Sequence, residues 1–90
     1  MIISTISNNE LDIFNHIYSS YKLKPQRYMF IEATKYGRLN FIKFLFNDYI
    51  NIKSADRNFK LDIKSIHKEL FRIAEKNNHI DIFYWLKSLT

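Results

Sequence analysis

A chain of 90 residues is one domain at most, and at this size it buries only about 60–65% of its surface, so stability has to come from dense apolar packing. No cysteine is present, which excludes disulfides, thiolate metal sites and thiol catalysis. The net charge of +5 is a mild basic bias. It weighs less as a sign of an anionic partner because Lys, Asn, Ile, Phe and Tyr fill over half the chain, the residue bias of a very AT-rich genome.

No apolar run approaches the length of about 18 residues that would span a membrane, and no basic-then-apolar leader is visible. The expectation is an intracellular protein of the cytoplasm with no membrane contact. One glycine and one proline argue against a turn-rich β protein and for helices joined by short polar connections.

In chain order, the pattern predicts helices over about 2–8, 10–20, 25–36, 39–49, 63–77 and 79–89. Pro25 suits the first position of the third helix, where its missing N–H costs nothing. Over 39–49 the residues Leu39, Phe41, Ile42, Phe44, Leu45, Phe46 and Tyr49 go nearly all the way round, as in a helix covered on several sides. Residues 50–62 carry Asn51, Ser54, Asp56 and Asn58 without a long apolar stripe and read as an irregular loop. Over 63–77, Ile63, Ile66, Leu70, Ile73 and Ala74 fall on one face.

Three segments align without gaps: Thr5 to Ile17, Ala33 to Leu45 and Ala74 to Leu86. Each has a small residue, then Asn9, Gly37 or Asn78 four residues on, then an aliphatic, an Asp or Asn, and two apolar residues. Gly and Asn are the residues that most readily take the left-handed conformation ending a helix. The implied unit is a helix, a sharp stop, and a second helix folded back against the first. Asp12, Asn40 and Asp81 then occupy the first turn of each second helix, where an oxygen suits the positive dipole end. The units run approximately 1–22, 23–50 and 60–90.

The stretch Ala33 to Phe46, read as A-x-x-x-G-x-L-N-F-I-K-F-L-F, resembles the turn and second helix of an ankyrin repeat. Asn77-Asn78-His79-Ile80-Asp81-Ile82 and Asn8-Asn9-Glu10-Leu11-Asp12-Ile13 are similar to the same stretch. The dialect resembles divergent ankyrin-like proteins of large DNA viruses and amoebae. That resemblance implies an all-α fold, a short ankyrin-like solenoid of about three stacked helix-turn-helix units, without chemistry of its own and devoted to binding another protein. The family's T-P-L-H opening is missing, and only Ile2, Phe30 and Phe71 stand for its central apolar residue. The turn residues are spaced by 78 − 37 = 41 and 37 − 9 = 28 positions, against about 33 in the family. Regular β-hairpin fingers between units are therefore not expected.

No catalytic constellation stands out. His16, His67 and His79 are scattered without ligand spacing, and one glycine cannot build a phosphate loop. Asp12, Glu32, Asp48, Glu69, Glu75 and Asp81 are dispersed and suit capping or solvent roles. The expectation is no cofactor and no metal.

Lys64, Lys68, Arg72 and Lys76 recur at i+4 opposite an apolar face, and Arg27, Ile31 and Lys35, with Arg38 in the following turn, repeat the arrangement one unit earlier. In an ankyrin-like stack these positions line a concave binding surface. A lysine row of this kind is in most helices just the solvated side. As a site it suits a protein partner with an acidic surface, and nucleic acid is the rival. Tyr84 and Trp85 are candidates for an anchor or for self-association, because neither end of the chain reads as a polar cap.

Overall fold

The computed structural model describes the backbone of residues 2–89 and the side chains of residues 4–89, so the reading of Ile2 falls on a side chain outside the described residues. Among the described residues six helices follow one another: α1 (Ile2–Ser7), α2 (Leu11–Ser20), α3 (Arg27–Lys35), α4 (Leu39–Ala55), α5 (Ile63–Lys76) and α6 (Ile80–Ser88). No strand occurs among the described residues.

The three reversals are made by the residues the repeat singles out. Asn9, Gly37 and Asn78 have φ of 58°, 72° and 59°, and each closes its helix in the same way. At the first, Glu10 N–H donates to the Thr5 carbonyl at 2.8 Å and Asn9 N–H to that of Ile6 at 3.2 Å. At the second, Arg38 donates to Ala33 at 2.7 Å and Gly37 to Thr34 at 3.1 Å; at the third, His79 donates to Ala74 at 2.8 Å and Asn78 to Glu75 at 3.2 Å. This paired 6→1 and 5→2 pattern satisfies carbonyls that a helix end otherwise strands. The small residue of each repeat, Thr5, Ala33 or Ala74, is buried and accepts the 6→1 bond.

A fourth reversal of the same kind was not legible. Lys22 (φ 51°) ends α2, with Leu23 N–H donating to Tyr18. Two other expectations are corrected. Helix α3 starts at Arg27, not at Pro25; Gln26 is extended (φ −123°, ψ 151°) and Pro25 lies buried upstream of it. Helix α4 continues to Ala55, so the irregular segment is 56–62 and not 50–62. No Gly or Pro interrupts 49–55, and the helix stops only where the Asp56 carboxylate accepts the Asn58 N–H at 3.0 Å. Lys53 then holds the segment down by donating to the carbonyls of Arg57 and Phe59.

Helices pair as α1 with α2, α3 with α4 and α5 with α6, and the first members α1, α3 and α5 lie side by side. The molecule measures 33 × 29 × 17 Å, and its shortest dimension is less than two helix diameters. The core runs through all three pairs, with Phe14, Phe30, Phe41, Ile42, Leu45, Ile66, Leu70, Ile82 and Leu86 fully buried. Helix α4 is covered on several sides, as its pattern predicts. Phe41 and Phe44 set edge-on to Phe14 of α2, at 5.1 and 5.9 Å, while Phe46 meets Phe30 of α3 at 5.0 Å and Trp85 of α6 at 5.4 Å. Tyr18 adds a polar tie by donating to the Asp48 carboxylate at 2.5 Å. Burial, with the adjacent carboxylate, pushes its phenol well above its ordinary range.

Candidate functional site

Where α4, α5 and α6 meet, a groove of ≈ 940 Å³ opens to solvent. Each helix contributes one face. From α4 come Lys43, Phe46, Asn47 and Ile50, spaced i, i+3, i+4, i+7; from α5 come Ile63, Lys64, His67 and Lys68; from α6 comes Trp85, followed four residues on by Leu89. Tyr49 completes the lining. The floor is apolar, and Ile50 (59% exposed) and Leu89 (49%) leave large apolar side chains uncovered beside it.

The charged side chains that line the groove are of one sign. Lys43, Lys64 and Lys68 stand on it, and among the described residues neither Asp, Glu, Ser nor Thr lines it. His67 does structural work: its Nε2 donates to the Leu86 carbonyl at 2.9 Å, which caps the end of α6, and its ring stands edge-on to Phe71 at 4.8 Å. The start of α5 is fixed by Asp62, whose carboxylate accepts the Ser65 N–H at 3.1 Å and so secures the first turn, which carries Lys64, one turn ahead of Lys68. Such a site can hold an apolar, anionic surface. Among the described residues, no three of His, Cys, Asp and Glu converge to hold a metal ion.

The sequence-predicted positions separate into three groups. Lys64, Lys68 and Trp85 come together at the groove, although the sequence places them in two unrelated sites. Lys35, Arg72, Lys76 and Tyr84 are exposed elsewhere, with Lys35 over the Tyr36 ring at 5.9 Å. Arg27, Ile31 and Arg38 are engaged within the fold. Arg27 forms an ion pair with Glu69 that ties α3 to α5, and Ile31 packs against the core. Arg38 turns back on α1, donating from Nε to the Ile6 carbonyl at 3.1 Å and from Nη2 to that of Ser7 at 2.5 Å. One unit later, His79 repeats the move by donating from Nε2 to the Lys35 carbonyl at 3.0 Å.

Lys43, Phe46, Ile50 and Leu89 were missed as site residues. Their signal, the i, i+3, i+4, i+7 row on α4, becomes visible only when that helix is carried past Tyr49. Trp85 is neither wholly core nor free: it is half-buried, with one edge on Phe46 and the remainder on the groove.

No helix among the described residues is long and apolar enough to cross a membrane. Comparison of the chain with protein-family models, with curated proteins and with solved structures finds no match.

Proposed function

We propose that the chain is a short ankyrin-like stack of three helix pairs that works as a non-enzymatic protein-interaction module on an acidic partner. The observation that carries this is the groove between α4, α5 and α6, apolar on its floor, bearing Lys43, Lys64 and Lys68 and lined by no carboxylate side chain among the described residues. Support for the stack comes from the three matching reversals and from α1, α3 and α5 lying side by side. In the viral setting that the composition suggests, the module acts in the host cytoplasm on a host or viral protein.

Affinity capture from the native cell tests the reading. The chain is expected to retain a protein after nuclease treatment and to lose it in the Lys64→Glu, Lys68→Glu variant. Retention that disappears with nuclease overturns it in favour of a second reading, a small nucleic-acid-binding protein. That alternative rests on the exposed row Lys64, Lys68, Arg72 and Lys76. It requires an affinity for DNA or RNA that falls steeply with salt. Self-association through the ends, the remaining expectation for Tyr84, is read directly from the size of the particle in solution.

A further inference from the structure

We propose that the groove takes a single amphipathic helix of the partner protein, apolar on the face it buries and acidic along its flanks; the inference rests on the protein-interaction reading above. Three helices already present one face each to the groove, through Phe46 and Ile50, Lys64 and Lys68, and Trp85. A fourth helix laid there completes a packing arrangement at ordinary interaxial distances of about 8–10 Å.

The backbone decides between a helix and an extended segment. All of the lining but Leu89 is helical, and no strand edge borders it among the described residues. An extended peptide would find no strand edge to pair with and would bring its own unpaired groups into an apolar site. A helix satisfies its own backbone and offers anchors at i, i+3 or i+4, and i+7, the spacing that Lys43, Phe46, Asn47 and Ile50 present from the other side.

Charge decides the partner's chemistry. Three lysines with no opposing carboxylate side chain among the described residues favour Glu or Asp on the flanks of the docked helix and disfavour a cationic one. A second copy of this chain, itself at +5, is poorly matched.

Trp85 is the only tryptophan, so its emission reports occupancy of the groove without a label. The probe is a synthetic helical peptide of about 14 residues, four turns long. It carries Leu and Phe at the anchor positions and Glu on the flanks; its twin carries Lys on the flanks. The Glu peptide is expected to shift Trp85 emission saturably and to bind at least about tenfold more tightly than its twin. The preference is expected to invert in the Lys64→Glu, Lys68→Glu variant, whose helical fold is checked by circular dichroism. Equal binding of the two peptides, or a preference that survives the charge reversal, overturns the proposal. So does a larger emission change with phosphatidylglycerol vesicles or an oligothymidine strand than with the Glu peptide. If the Glu peptide fails but a photo-cross-linking residue at position 43 still captures a protein from the native cell, the helix is refuted and the interaction reading stands. If both fail, both are refuted.

Discussion

The imidazole of His79 occupies the space beside Gly37 where any other residue would carry its Cβ. An added carbon would lie 2.8 Å from Cε1 and 2.9 Å from Nδ1. Two requirements therefore meet at one position: a backbone at φ 72° and room for a ring from the following unit.

The first prediction follows from that coincidence. Gly37→Ala is expected to destabilise by about 2–3 kcal/mol, of which about 1–2 is the left-handed backbone and the rest the displaced ring. Gly37→Asn, although Asn serves at positions 9 and 78, should not be neutral here, because it brings the same Cβ. Chemical denaturation of Gly37→Ala, His79→Ala and the double variant measures the coupling. A double variant clearly more stable than the sum of the single losses is the expected sign.

The second prediction concerns Arg38. Its two bonds to the carbonyls of Ile6 and Ser7 hold the last turn of α1, a helix of six residues that is too short to persist unaided. Arg38→Ala is expected to cost about 1–2 kcal/mol. Amide exchange should quicken in α1 far more than in α5. Arg38→Lys should recover only part of the loss, since an ammonium cannot span both carbonyls with a planar fork. Uniform acceleration across all six helices would contradict the local role.

Alkaline behaviour gives a third. Burial and Asp48 raise the Tyr18 phenol above its ordinary value of about 10, so the folded state favours the neutral form. The stability this supplies is present in full below about pH 10 and is lost as pH rises above it. Between pH 8 and 11 the Tyr18→Phe variant should therefore lose less stability than the parent chain. Near neutrality the variant should be weaker by about 1 kcal/mol through the lost bond to Asp48. Thermal melts at a series of pH values check both signs.

Asp62 supplies the fourth. Removing its carboxylate from the start of α5 in Asp62→Ala should cost about 1 kcal/mol, whereas Asp62→Asn or Asp62→Ser keeps an acceptor for the Ser65 N–H and should be close to neutral. The ion pair Arg27–Glu69 makes a useful contrast. Both partners are substantially exposed, and Arg27→Ala is expected to change stability by less than about 0.5 kcal/mol.

Much of the fold was legible because its punctuation is local. Asn9, Gly37 and Asn78 each act within six residues, and the small residue preceding them is bonded to the same turn. The pairing of each first helix with its successor follows from that. Where the local signal is weak, the reading slips. Lys22 takes a left-handed conformation that a lysine rarely announces. The end of α4 has only Asp56 to mark it, after an Asn at position 51 that looks like a stop and is not one. Pro25 is compatible with a helix start, but the start itself was set two residues on by the extended Gln26.

The groove was not legible at all, because it is a property of three helices together. Lys64, Trp85 and Phe46 come from three different helices, and nothing in the periodicity of one helix states which faces will be left facing a gap. The overrun of α4 matters here too, since it places Ile50 on that gap. Arg38 and Arg27 carry a structural role that their sequence positions do not announce. A basic side chain at a helix end or on an outer face reads as surface charge, whereas these two close bonds to a neighbouring unit.

The backward-reaching side chains make the joints between units non-interchangeable. The acceptor is a main-chain oxygen that every helix terminus offers, so it carries no address. The address lies in matching the arriving side chain to the helix end that it meets: a compact ring at 79 over a bare corner at 37, and a long guanidinium at 38 reaching the carbonyls of Ile6 and Ser7 ahead of the amide-bearing corner at 9. Exchanging the two unit starts would put the ring against a side chain and the long arm over an empty corner. Shuffled versions of this chain should assemble only when corner and arm are moved as a set.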